Sequence, residues 1–157
     1  MADTHGQMMD HHIPMKLAEP PTPWTVTLLV FLVAILHIGF LILEMFLWQT
    51  PRVLALFREP PDHNSTAAMA ANQGLYNGFL AAGMLLSFAF SDTTTAFAFR
   101  VFFLSCALIA GLYGGWSVTW RISLVQAFPA ALALVALTRY RRRLLRILFV
   151  TSFKEGA

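Results

Sequence analysis

The feature that most constrains this chain is the recurrence of long apolar blocks, the first of which reads "WTVTLLVFLVAILHIGFLILEMFLW". A helix of about 20 apolar residues crosses roughly 30 Å of hydrocarbon at about 1.5 Å per residue. Four such blocks occur, over 24–48, 67–90, 96–113 and 118–137. Lipid leaves backbone groups no outside partner, and blocks of this length without dyad alternation satisfy them as helices rather than barrel strands. With only 12% charged residues against 57% hydrophobic, an ordinary soluble domain is excluded. The pattern predicts an all-α membrane protein of four transmembrane helices in an up-down bundle, with a basic amphipathic C-terminal helix. Three regions are expected: a flexible polar arm containing His and Met over 1–23, the bundle over 24–138, and a basic interfacial tail over 139–157.

The polar, slightly acidic residues 1–23 do not resemble a cleavable signal, so the first helix is expected to act as its own insertion signal. In "RYRRRLLR", five arginines follow the fourth block directly, whereas the connection between the first two carries only Arg52 and Arg58. By the positive-inside rule both termini are cytoplasmic, in a bacterial inner membrane. Within that outer connection, Val53, Leu54, Leu56 and Phe57 predict a short interfacial helix stopped by Pro60 and Pro61. "SDTT" offers Asp92 or a threonine as an N-cap, and "GGWS" breaks the third block from the fourth. Arg139, Arg142, Arg143 and Arg146 share one helical face, with Leu144, Leu145 and Leu148 opposite. Such a face attracts anionic lipid headgroups at about 1 kcal/mol per cation. No basic domain lies outside the bilayer to bind nucleic acid.

The polar residues inside the blocks are the candidates for function. His37 and Glu44 are seven apart, on one helical face but about 10.5 Å apart along the axis, too far to share one small ion. In the second block, "NQGLYNG" places Gln73, Tyr76 and Asn77 on one stripe, close to Asn72, beside a small-residue stripe of Gly74, Gly78 and Ala82. In the fourth, Gln126 precedes Pro129, whose ring removes one backbone hydrogen bond. Leaving amides unpaired in a nonpolar interior costs roughly 1–3 kcal/mol each. His37, Glu44, Asn72, Gln73, Tyr76, Asn77 and Gln126 are therefore expected to form one inward polar cluster, with Glu44 bonded to the second helix. The glycine stripe is expected to pack within the bundle. No nucleophile, metal triad or phosphate loop marks a catalytic residue. "HGQMMDHHIPM" carries copper-type ligands, yet such tails are usually disordered, and no metal site is assigned. A pigment or haem on His37 is disfavoured by Glu44 on the same face. Cys106 is the only cysteine, which excludes an intrachain disulfide.

"LHIGFLILEMFLW", "ANQGLYNGFLAAG", "AGLYGG" and "VQAFPAALAL" together resemble the small bacterial integral membrane family catalogued as domain of unknown function 1304. The resemblance spans most of the bundle. Its pattern is matched by His37, Glu44 and Trp48, by Asn72, Gln73, Tyr76 and Asn77, and by Gln126 with Pro129. It implies almost nothing about activity, and the His/Met arm and basic extension depart from it.

Two classes of function remain. The first expectation is a non-enzymatic membrane component, free-standing or an accessory subunit of a larger complex held by its extended termini, with the lipid bilayer and other membrane subunits as partners. The alternative is intramembrane small-ligand binding, transport or isomerase-type chemistry that uses His37 and Glu44.

Overall fold

The computed structural model describes residues 22–57 and 64–155, and all regular structure among them is helical. Expectations about the His/Met arm, Pro60 and Pro61 concern residues outside that set. Helix α1 is Trp24–Met45, α2 Pro51–Phe57, α3 Asn64–Leu86, and α4 Thr93–Ser117. A short α5, Trp120–Ile122, passes through a π-helical turn, Ser123–Ala127, into α6, Phe128–Glu155.

The helix limits follow from local chemistry. Pro23 has no N–H to leave unpaired, and its carbonyl accepts from Val26 and Thr27 to open α1. Asp92 caps α4, its Oδ2 accepting from the Thr95 N–H at 2.6 Å. Pro129 cannot donate to the carbonyl four residues back, and the helix ahead of it widens into the π turn, in which Phe128 N–H reaches the Ser123 carbonyl. Nothing between Leu137 and Arg139 breaks a helix. The basic segment is helical and continues α6 directly, with Arg139, Arg142, Arg143 and Arg146 all exposed.

Three stretches are long and apolar enough to cross a membrane: Trp24–Met45, Thr93–Ser117 and Trp120–Thr151. Helix α3 matches them in length, but Asn72, Gln73, Tyr76 and Asn77 make it less apolar. Large apolar side chains such as Leu28, Ile35, Phe102, Ile109 and Leu132 stand exposed along the length of these helices. Apolar surface this extensive is incompatible with water and suits lipid.

The core is a narrow seam of small and β-branched side chains. Val26, Val30, Val33 and Ala34 of α1 meet Met84, Leu104, Ala107, Ala130, Ala133 and Leu137. Small residues at the seam allow backbones to approach closely, the main source of attraction between helices in lipid. Helices α1 and α3 meet in opposite chain order: Gly74 lies against Glu44 and Met45, while Phe88 stacks on Phe31 at 4.5 Å. Gly111 of α4 likewise lies against Ala127, and Arg141 bonds Thr94.

Helix α1 ends three residues before Trp48. That indole is tucked in, its Nε1 donating to Thr66 Oγ1 at 3.2 Å. Helix α2 is the short helix expected in this connection, and it packs Val53 and Leu54 against Trp48 and Ala70. It covers one end of the protein.

Candidate functional site

The α1 seam that builds the core, read along Val26, Val30 and Val33, continues into His37 and Glu44, and both are buried. Each has one partner across a helix boundary. Asn77 Nδ2 donates to Glu44 Oε2 at 2.7 Å. His37 Nδ1 lies 2.8 Å from the Val33 carbonyl, which can only accept, so that nitrogen carries a proton. Its Nε2 is left to accept from the Gln126 amide at 3.2 Å. The carboxyl is thus held by α3 and the imidazole by the π turn. The wide turn turns both Gln126 and Ala127 inward, toward α1 and α4 respectively.

The seven expected cluster residues do not form a single network. Asn72, Gln73 and Tyr76 are exposed rather than paired with α1, and of the four polar side chains in "NQGLYN" only Asn77 reaches Glu44. The cause is rotational. Gly74, Gly78 and Ala81 form the face of α3 turned to α1, since a Cβ added at Gly74 would meet Leu41 O at 3.1 Å and one at Gly78 would meet Leu41 Cδ1 at 2.5 Å. At about 100° per residue, Asn77 sits about 70° from that face and Gln73 about 110°, while Asn72 and Tyr76 lie about 150° or more away.

Those three side chains instead border a cavity. A space of about 550 Å³ opens between α1, α3, α4 and the π turn, at the end covered by α2. Glu44, Asn72, Gln73, Tyr76, Asn77 and Gln126 line it, and Phe40, Trp48, Phe57 and Tyr113 supply aromatic wall. His37 stands behind Gln126 and does not line the space. Among the described residues Glu44 is the only lining residue with a formally charged side chain. Sequence reasoning singled out the polar lining, and Tyr113 among the polar groups of its helix, but not Phe40 and Phe57 as wall. The signal was the run "AGLYGG", whose Ala110 and Gly114 leave room where α4 passes α3.

A second polar group sits at the opposite end. Arg100 is buried, its Nε donating to Ser87 Oγ at 3.1 Å and its Nη1 to Thr22 Oγ1 at 3.2 Å. The guanidinium lies over the Phe88 ring, 4.4 Å from its centroid. These contacts tie the start of α1, the end of α3 and α4 together; the adjoining space is only about 120 Å³. Arg100 stands in the sequence as a cation within an apolar block, but its partner Ser87 becomes a neighbour only through the tight α3–α4 connection and Thr22 only through the packing of α1 against α4. Among the described residues no group of three or more His, Cys, Asp or Glu side chains gathers to hold a metal.

The residues that build the cavity coincide with the part of the chain shared with known proteins. A family model described as "Protein of unknown function (DUF1304)" matches residues 31–138, which include every lining residue of the larger cavity. The chain is also 31% identical over 87 residues to the Uncharacterized protein YpaA of Lactococcus lactis subsp. lactis (strain IL1403), covering 55% of this chain and 71% of that relative. No solved structure matches. With most of its helical body matched by that model, the chain belongs to the DUF1304 family.

Proposed function

We propose that the protein binds a small amphiphilic molecule in the cavity lined by Glu44, and that this is its function in the membrane. The observation that carries the reading is the cavity itself. Its volume of about 550 Å³ falls within the roughly 300–1,000 Å³ of small-molecule sites. Mostly aromatic and aliphatic walls with a few convergent polar groups are the usual composition of such sites. A carboxyl and several amides inside an apolar protein are costly, and ionisable groups at such positions usually serve function. The accessory-subunit role has no comparable feature behind it, since the N-terminal arm lies outside the described residues and the arginine face is accounted for by lipid.

In this reading α3 is the fourth membrane-crossing helix and the four form an up-down bundle. At 23 residues α3 is about 34 Å long, and its polar side chains are drawn to the cavity and to Glu44 rather than spread around it. The arginines at the end of α6 hold both termini at the cytoplasmic face of a bacterial inner membrane and engage anionic headgroups. The cavity then opens toward the outer face.

Two experiments bear on this. In a Cys106→Ser background, a cysteine at the exposed position Gln49 should react with an impermeant maleimide in intact cells, and one at Arg143 only after lysis. Equal labelling of both removes the topology. For the cavity, Ala110→Trp places a large ring into the space from an exposed wall position. Native mass spectrometry of the gently purified wild type should show a bound small molecule, which the Ala110→Trp protein, equally well folded, should lack. If wild type and variant carry the same adducts, or none, the binding function is wrong.

A further inference from the structure

We infer that the ligand of this cavity carries an organic ammonium group; the inference rests on the binding function proposed above and names its chemical class. Charge comes first. Among the described residues Glu44 is the one formally charged group lining the cavity, and no arginine, lysine or histidine among them does so. Arg52 and Arg121 are exposed and lie outside the lining, and the buried Arg100 is engaged with Ser87 and Thr22 at the far end. An anionic ligand would enter beside a buried carboxyl with no cation among the described lining residues to compensate, whereas an ammonium group supplies a partner for it.

The walls make the same selection. Trp48, Phe57, Phe40, Tyr76 and Tyr113 all border the space, and aromatic faces attract cations, quaternary ammonium above all. Trp48 is fixed for such a role, its indole bonded to Thr66 and packed 5.0 Å from the Phe57 ring. Asn77 holds one carboxyl oxygen of Glu44 and so orients the group, while the carbonyl oxygens of Gln73 and Gln126 can accept from N–H bonds of a primary ammonium. The rest of the ligand is apolar, to match the aliphatic part of the lining. Such a group occurs both on free amines and on the headgroup of aminophospholipids.

The test uses three probes of similar shape and different charge on the full chain in detergent: benzylammonium, benzyl alcohol and benzoate, with Kd read by titration calorimetry. The cation is expected to bind at least tenfold more tightly than the alcohol, and benzoate more weakly than either. Glu44→Gln should erase the cation's advantage and leave the alcohol unchanged. Should that variant fail to fold, Gln73→Glu at the exposed rim is informative in the opposite direction, and should tighten the cation severalfold without moving the alcohol. Equal affinities of cation and alcohol, or a Gln73→Glu protein with an unaltered ratio, overturn the ammonium assignment. If none of the probes binds while the wild-type adduct lost in Ala110→Trp is present, the assignment fails and the cavity function stands. If that adduct is absent too, both fail. Lipid analysis separates the two sources. A phosphatidylethanolamine excess in lipid retained by the wild type, lost in Glu44→Gln, assigns the headgroup; equal retention with the cation preference intact assigns a free amine.

Discussion

Replacing Gly111 by valine is expected to abolish the folded state under conditions where Gly39→Ala leaves it intact. A Cβ at position 111 would lie 2.5 Å from the backbone nitrogen of Ala127, 2.9 Å from its Cα and 3.0 Å from its Cβ. None of these atoms can swing aside. Relief requires the π turn to move off α4, and with it the Gln126 amide bonded to His37 and the Ser123 hydroxyl that donates to the Gly111 carbonyl. Overpacking usually costs about 1–3 kcal/mol, and a clash with backbone on both sides belongs at or above the top of that range. At Gly39 an added Cβ meets nothing within 4 Å, and exchanging glycine for alanine inside a helix contributes about 0.5–1 kcal/mol of stability. Unfolding of both proteins in mixed micelles by increasing dodecyl sulfate measures the contrast. A Gly111→Val protein with the wild-type midpoint would mean that α4 and the π turn are not in contact.

The second large effect concerns Glu44 and Asn77. Glu44→Leu should destabilise by about 1–3 kcal/mol, because it leaves the Asn77 amide with its bond unmade. Adding Asn77→Leu should restore much of that loss, since apolar groups replacing both partners of a buried hydrogen bond are nearly neutral. The coupling from the double-mutant cycle is expected at about 1–2 kcal/mol, near the upper limit of roughly 1.7 kcal/mol measured for hydrogen bonds between membrane helices. Strict additivity of the two single changes would show that the bond does not form in the membrane. The cycle also separates roles: a protein stable with Leu at both positions but unable to hold its ligand assigns the carboxyl to binding rather than to packing.

What the sequence made legible was chemistry confined to neighbours along the chain or to depth in the membrane. The Asp92 cap needs only Thr95, three residues on, and Pro129 disturbs its own preceding turn. Glu44 could be assigned a partner on α3 in advance because it lies at the depth of Asn72, Gln73 and Asn77, but depth alone did not single out Asn77. Rotation about a helix axis was not legible to the same degree. "NQGLYNG" holds a glycine stripe and a polar stripe side by side, and either can face a neighbour; close backbone approach at Gly74 and Gly78 decided for the glycines and carried Asn72, Gln73 and Tyr76 to the cavity rim. Helix α2 was ambiguous for a related reason. Val53 and Leu54 are equally content against lipid or against Trp48, and only the tucked indole chose. The cavity is the least legible feature, being space left by Ala110 and Gly114 on one helix and Ala70 on another.

The π turn at Ser123–Ala127 has a geometric consequence for everything that follows it. Such a turn is an α-helical turn holding one surplus residue, absorbed locally as a bulge. Elsewhere along α6, losing a single residue would rotate all that lies beyond by about 100°, swinging the Ala130, Ala133 and Leu137 seam out to lipid and the arginines to another side of the bundle. At the bulge the same loss would only close the helix to its regular pitch, leaving both flanks in phase. The helix therefore carries a built-in slack of one residue, set at the depth where Gln126 meets His37, so the cavity wall can change in length without disturbing the angular alignment of the core or of the basic face.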